Sequence, residues 1–155
     1  MTMAFRALER WPFPETKPGE RRSSPFKGTY SSTLDLLSRE LYHLRSDLYG
    51  LAILQVVTRN GERDLRQDQW LRADARVTHP GVAISMGSKF GPLTFHCDRF
   101  VGWQANLRAI ALGLESLRRV GRYGIGGSGE QYRGWTALPA GSGGGDVVAA
   151  RQVLR

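Results

Sequence analysis

The chain has 155 residues, the length of one domain with a single hydrophobic core, and its 22 basic and 14 acidic side chains give a formal net charge of +8. Its single cysteine, Cys97, excludes an internal disulfide, and its longest apolar run, Leu51 to Leu54, is too short to span a bilayer. The N-terminus has acidic residues and prolines where a signal peptide needs an unbroken apolar segment, so we expect a soluble cytoplasmic protein.

The excess of positive charge favours a polyanionic partner, and nucleic acid is the first candidate. Residues 99–155 carry eight basic and three acidic side chains, so the positive charge is largest in the last third of the chain. The alternative is that the charge has no binding role. Of the 22 basic residues, 19 are arginine, which GC-rich coding produces without selection for phosphate contacts, and they do not form one dense run.

Residues 1–30 are predicted to be an irregular arm, because proline fits neither a helix interior nor a central strand. The arm contains Pro12, Pro14, Pro18 and Pro25. Two interpretations are open: its basic residues contact phosphate, or its aromatic residues Trp11, Phe13 and Phe26 pack it onto the domain. We favour packing, because aromatic rings are costly to leave in water.

The first predicted helix begins near Ser32, which forms a weak capping box with Asp35. Leucines from Leu34 to Leu48 recur three or four residues apart, which places them on one face of a helix. Gly50 is predicted to end this helix.

Three strands are predicted next. Residues 51–58 are rich in β-branched and aliphatic residues and form a strand buried on much of both faces. After an Asn60-Gly61 turn and a charged surface segment, residues 81–87 and 92–97 alternate apolar with small or polar side chains, which predicts a β-hairpin with one polar face.

The most regular pattern lies between Asp98 and Gly121, where apolar residues from Phe100 to Leu117 recur at helical spacing. Asp98 is predicted to cap this helix and Gly121 to end it. The predicted fold is therefore α+β: a helix, a three-stranded antiparallel sheet, and a long C-terminal helix packed on one sheet face. Residues 31–139 form this single domain, and residues 140–155 form a flexible glycine-rich linker with a short terminal helix.

Two patterns typical of enzymes do not have the context that catalysis needs. Gly124, Gly126 and Gly129 match the dinucleotide fingerprint, but a helix precedes them and polar coil follows, instead of a strand and a helix. His96-Cys97-Asp98 resembles a catalytic cluster, but consecutive residues of a strand point to opposite faces. We therefore expect no enzymatic activity and no cofactor.

Metal ligands are also not expected. No two histidines stand three or four residues apart, and a lone cysteine cannot build a structural zinc site. Asp64 and Asp68 have helical spacing but lie in a loop-like segment among arginines, where they pair as surface charges. His79, before Pro80, is predicted to be a loop residue at a turn.

The candidate nucleic-acid-binding residues lie at the end of the long helix and just after it. Arginine supplies phosphate contacts, and aromatic rings between glycines supply stacking platforms for bases. The alternative is that the aromatic rings fold back to complete the core, and for Tyr123 we favour that alternative because it directly follows the helix. The candidate residues are Arg118, Arg119, Arg122, Tyr123, Tyr132, Arg133 and Trp135.

The run CDRFVGWQANLRAIALGLESLRRVGRYGIGGSGEQYRGWTALPAG, with the upstream PFKGTYSSTLDLLSRELYHL, resembles the N-terminal module of J-domain-containing proteins encoded by actinobacteria and their bacteriophages. The resemblance covers roughly Phe26 to Pro139. In longer relatives a J-domain follows, whereas here a glycine linker follows, and His79-Pro80 precedes glycine instead of the aspartate of the J-domain signature. The resemblance therefore implies a phage or prophage gene acting in a bacterial cytoplasm, without chaperone stimulation.

Two hypotheses about function remain. In the first, the protein is a non-catalytic accessory of phage DNA metabolism that binds nucleic acid. In the second, it is an adaptor or inhibitor that binds a host or phage protein, because relatives join this module to a chaperone-recruiting domain. The contact residues for a protein partner would be Trp11 and Phe13 of the arm and His96 on the polar sheet face.

Overall fold

The computed structural model describes residues 2–45, 51–58, 65–66, 70–127 and 129–137. The regular elements are β1 (Thr2–Leu8), α1 (Tyr30–Leu44), β2 (Leu51–Thr58), β3 (Val77–Ser88), β4 (Gly91–Cys97) and α2 (Trp103–Arg122), with short 3-10 helices at Pro18–Glu20 and Glu130–Trp135. The fold class is α+β, as the sequence predicts. The first helix ends at Leu44 with Arg45 as its C-cap, so the prediction that it continues to Gly50 is wrong. The predicted Asn60-Gly61 turn and residues 140–155 lie outside the described residues.

The sheet has four strands in the order β1-β2-β3-β4. Strand β1 is parallel to β2, and the other two pairs are antiparallel, so the sheet is mixed. The prediction of a three-stranded antiparallel sheet with an irregular N-terminal arm is therefore corrected. All prolines of the arm lie after residue 11, and α1 provides the crossover that a parallel pair requires.

The core lies between one face of the sheet and the two helices, which also pack on each other. Buried residues recur at helical spacing on α1 and α2, as amphipathic helices require. On β3 the consecutive residues from Gly81 to Ile84 are all buried, so both faces of that strand are covered there. The prediction that α2 covers one sheet face is confirmed. Fully or almost fully buried core side chains are Leu37, Leu41, Leu54, Val82, Ile84, Leu93, Leu107 and Leu114.

The start of α2 differs from the prediction. Gly102 is the N-cap, without a side-chain hydrogen bond, and Asp98 instead accepts hydrogen bonds from the backbone N–H and the hydroxyl of Thr16. The fully buried Asn106 forms the hydrogen bonds near the start of α2. Its Oδ1 accepts from the backbone N–H of Phe100, and its Nδ2 donates to the carbonyl of Pro80.

The end of α2 and the start of α1 are also shifted. Tyr123 follows the last helical residue, and Gly124 has a φ of 72°, so Gly124 rather than Gly121 adopts the left-handed conformation that favours glycine. Thr29 caps α1 and exchanges hydrogen bonds with Ser32, which occupies the third helical position. A capping box is present, but it begins three residues before the predicted one.

The N-terminal arm crosses the other face of the sheet. The rings of Trp11 and His79 stack with centroids 5.0 Å apart, and those of Phe13 and His96 stack at 4.2 Å. A Cβ atom at Gly81 would lie 2.6 Å from the Trp11 ring, so glycine allows this close approach. The predicted packing of the arm through its aromatic residues is confirmed, whereas His79 belongs to β3 and is not a turn residue.

Candidate nucleic-acid interface

Basic side chains from three elements meet in a cleft at the end of the molecule where both helices terminate, and the last 3-10 helix supplies polar and aromatic lining. The cleft has a volume of about 310 Å³, at the small end of the range for ligand pockets. We call it the basic cleft. Its lining residues are His43 and Leu44 of α1, Lys89 and Phe90 of the β3–β4 turn, Arg118, Gly121 and Arg122 of α2, and Gln131 and Tyr132 of the last 3-10 helix.

Local structure explains how the cleft residues come together. Arg118 and Arg122 stand four residues apart on α2 and therefore share one helix face. The backbone N–H of Lys89 donates to the carbonyl of Leu44, which ties the β3–β4 turn to the end of α1. The side-chain amide of Gln131 donates to the carbonyl of Leu117, which ties the last 3-10 helix to α2. The first of these bonds also occupies the carbonyl of Leu44, the last residue of α1, which would otherwise repel an anion.

Arg118 is held in place by a buried acid. Glu40 is 1% exposed, and its two carboxylate oxygens accept hydrogen bonds of 2.7 and 2.9 Å from Nε and Nη2 of Arg118. The hydrogen bond to Glu40 raises the pKa of the Arg118 guanidinium above its ordinary value. Glu40 therefore balances the charge of Arg118 and holds its guanidinium in place. Arg118 also lines the basic cleft, and the N–H groups that do not bond to Glu40 are potential donors to a ligand there.

Two of the aromatic residues that were predicted to stack on bases, Tyr132 and Trp135, instead pack into or against the hydrophobic core. Tyr132 is 3% exposed and stacks on Phe90 at 4.9 Å, and burial raises the pKa of its phenol. Trp135 packs against Phe95 of the core at 5.2 Å. These rings complete the core, which is the alternative that the sequence left open for them.

The opposite holds for Tyr123, for which the sequence favoured a place in the core. Its side chain is 68% exposed, and Arg122 and Arg133 are exposed as well. Arg119 forms an ion pair of 3.0 Å with Glu115, one helical turn away. We call these four residues, Arg119, Arg122, Tyr123 and Arg133, the C-terminal basic surface; through Arg122 it is continuous with the basic cleft.

Sequence reasoning missed half of the basic cleft. It found Arg118, Arg122 and Tyr132, which lie near one another along the chain, but not His43, Lys89, Phe90 or Gln131. A lysine in a hairpin turn and a histidine at a helix end are common surface features. Only tertiary packing brings them beside α2.

The residues proposed for a protein partner lie elsewhere. Trp11, Phe13 and His96 are in contact with one another on the sheet face opposite to the helices, and all three are partly buried. Their rings therefore already serve to hold the arm on the sheet.

The pattern His96-Cys97-Asp98 does not form a catalytic cluster. His96 stacks on Phe13, Cys97 donates from Sγ to Oδ1 of Asn106 at 3.3 Å, and Asp98 binds Thr16.

Within the described ranges, no three His, Cys, Asp or Glu side chains are grouped so that they could ligate a metal. Asp64 and Asp68 lie outside those ranges. The glycines from Gly124 to Gly129 follow α2 and precede a 3-10 helix, which is not the strand-loop-helix context of a dinucleotide site.

Comparison with known proteins gives no relative: no family model, no curated protein and no solved structure matches the chain. The resemblance to the J-domain-associated module therefore stays a prediction. In the part of the chain that the structure describes, neither helix has the length and apolar character needed to cross a membrane.

Proposed function

We propose that this protein binds nucleic acid without catalysing a reaction, and that the C-terminal basic surface and the basic cleft form its contact with the strand. The setting, an accessory protein of phage DNA metabolism in a bacterial cytoplasm, is part of the same proposal and depends on the family resemblance alone.

The observation that supports the proposal is the pairing of Arg122 with Tyr123 in solvent at the end of α2. The exposed ring of Tyr123 can stack on a base, an interaction of about 1–3 kcal/mol per base. The neighbouring arginines neutralise phosphate and release counterions from the strand. Gly124 turns the chain directly after Tyr123, so no bulky side chain follows the ring at that position.

Electrostatics favour the same surface. Two acids near the end of α2 are already paired: Glu40 with Arg118 and Arg39, and Glu115 with Arg39 and Arg119. A third acid, Glu130 of the last 3-10 helix, is exposed and forms no ion pair among the described residues. Within the described residues, Arg122, Arg133 and Lys89 form no ion pair, so their charge remains available to a polyanion.

The test is the affinity for a fluorescent single-stranded oligonucleotide at about 50 mM salt, measured by anisotropy. The double variant Arg122→Ala/Arg133→Ala should stay folded and bind roughly tenfold more weakly than the original chain. The matched control is Arg6→Ala/Arg99→Ala, which removes two exposed arginines outside the proposed contact. If the original chain shows no binding at this salt concentration, the proposal fails, and the protein-binding hypothesis replaces it.

A further inference from the structure

We infer that the basic cleft is a site for a phosphomonoester, the terminal phosphate at one end of a nucleic-acid strand. This inference rests on the proposed function, because it names which part of the strand the cleft takes. The C-terminal basic surface would then contact the phosphodiesters that follow.

The shape of the basic cleft fits one terminal group better than a continuous strand. Four separate chain segments line it, and its volume of about 310 Å³ is that of a site for one small ligand. An extended strand needs an open groove that follows its backbone over several nucleotides. The exposed residues Tyr123 and Arg133 offer such a surface beside the cleft, whereas the cleft itself is walled by Leu44, Phe90 and Tyr132.

The charge in the basic cleft matches a dianion. A phosphomonoester carries about −1.5 to −2 charges at neutral pH and presents three acceptor oxygens, whereas a phosphodiester carries one charge. Glu40 balances Arg118, so two cations that line the cleft, Lys89 and Arg122, have no acidic partner among the described residues. Two unbalanced positive charges and the fixed donors of Arg118 suit a doubly charged phosphate.

The basic cleft is also organised before any ligand arrives. Arg118 cannot swing away without exposing the buried carboxylate of Glu40, and Lys89 sits on a turn bound to the end of α1. Phe90 is fixed by its stacking on Tyr132. Because the side chains of Arg118 and Phe90 are held by the fold, these two lose little freedom on binding, and this favours a specific site over a diffuse positive patch.

The test compares three single-stranded oligonucleotides of one sequence by calorimetry: one with a 5′-phosphate, one with a 3′-phosphate and one with two hydroxyl ends. A nucleoside monophosphate and its nucleoside form a second pair. We expect one phosphorylated end to bind at least about tenfold more tightly than the hydroxyl-ended strand, and the monophosphate to bind where the nucleoside does not.

The deciding variant is Lys89→Ala, an exposed turn residue whose loss should leave the fold intact. It should abolish the preference for a phosphorylated end, so that the variant binds phosphorylated and hydroxyl-ended strands with equal affinity. The matched control is Lys27→Ala, an exposed lysine of the arm, which should keep the preference.

The outcomes separate this inference from the proposed function. Equal affinity for all three oligonucleotides overturns the inference and leaves the proposed function standing. A preference that survives Lys89→Ala also overturns it, because the terminal phosphate then binds elsewhere. If no oligonucleotide binds but the monophosphate does, in a manner that depends on Lys89, the proposed function and the strand end both fail, and a free nucleotide is the ligand.

Discussion

Glu40 is a buried carboxylate whose charge is balanced by Arg118, a side chain that lines the basic cleft. A buried ion pair of this kind gives little net stability compared with apolar residues, but removing one partner leaves an uncompensated charge in the interior. Glu40 therefore fixes the position of Arg118, and removal of Arg118 would leave the buried carboxylate with only the exposed Arg39, 3.8 Å away, as an ionic partner among the described residues.

Arg118→Ala should lower the free energy of unfolding by about 3 kcal/mol, near the lower end for a broken buried pair, because 25% of the Arg118 side chain is exposed. Urea unfolding at neutral pH measures this. The double variant Glu40→Leu/Arg118→Leu should recover most of the loss, since neither charge then remains. A loss below about 0.5 kcal/mol for Arg118→Ala would contradict the role assigned to the pair.

Cys97 gives a pH-dependent prediction. Burial raises the pKa of its thiol above the ordinary value of 9.0. The unfolded chain therefore releases this proton at lower pH than the folded protein, so the stability contributed by the neutral thiol is present below about pH 9 and is lost as the pH rises. The free energy of unfolding should fall above pH 9, and Cys97→Ala should flatten that part of the curve of stability against pH.

Tyr132, whose phenol pKa is raised above its ordinary value of 10.0 by burial, adds a separate decline in stability at higher pH. A curve for Cys97→Ala that is as steep between pH 9 and 10 as the original would count against this assignment.

At the scale of elements, the N-terminal arm is bound to the sheet by polar contacts as well as by stacking. Asp98 is buried between the arm and the start of α2, where it accepts two hydrogen bonds from Thr16 and lies 3.5 Å from Arg21. Arg21 in turn contacts Glu15 and the ring of His79. Asp98 thus ties the arm to the segment between β4 and α2, and Arg21 extends this contact to His79 of β3.

Asp98→Ala should loosen the arm without unfolding the domain. Trypsin should then cleave after Arg21 or Arg22 at least about tenfold faster than in the original chain, because local opening exposes a segment that is otherwise held on the sheet. Mass spectrometry of the early fragments locates the cut. Asp74→Ala, an exposed acid outside the arm contact, is the control. Unchanged cleavage in Asp98→Ala would show that stacking alone holds the arm.

The elements that the sequence predicts well are those with a local signal. The apolar stripe of α2 and the alternation in β3 and β4 depend on spacing within each segment, and both elements are present. Strand β1 was missed because seven residues at a sheet edge carry a weak pattern, and their partner β2 lies beyond α1. The role of Asp98 was missed because its partner, Thr16, is 82 residues away in the sequence.

In the candidate site, too, the residues with a local sequence signal are predictable and those placed by tertiary contacts are not. Arg118 and Arg122 are predictable from the basic end of a helix, and their neighbour Tyr123 is predictable as a residue of interest. Its exposure is not predictable, because it depends on where the helix ends, and the structure places that end at Arg122 and not at Gly121. Lys89 is brought to the site only by the hydrogen bond of its turn to α1.

At the scale of the whole molecule, the two sheet faces and the helix ends have separate roles. One face is covered by α1 and α2, and the arm crosses the other. The end where both helices terminate carries an excess of positive charge, because Lys89, Arg122 and Arg133 form no ion pair among the described residues and only one unpaired acid, Glu130, lies near them in the sequence. A formal net charge of +8 does not by itself imply a binding role. The basic residues around the basic cleft and the exposed Tyr123 form the surface at which we propose a polyanion binds.

The most direct test of nucleic-acid binding is the salt dependence of the affinity for a single-stranded oligonucleotide, measured between about 50 and 200 mM salt. The logarithm of the binding constant should fall linearly with the logarithm of the salt concentration, because each neutralised phosphate of a single strand releases about 0.7 counterion. Arg122→Ala/Arg133→Ala should reduce the slope by about 1.4, the share of two phosphate contacts. Identical slopes for the original chain and the double variant, or an affinity that does not depend on salt, would contradict the assignment of this surface to nucleic acid.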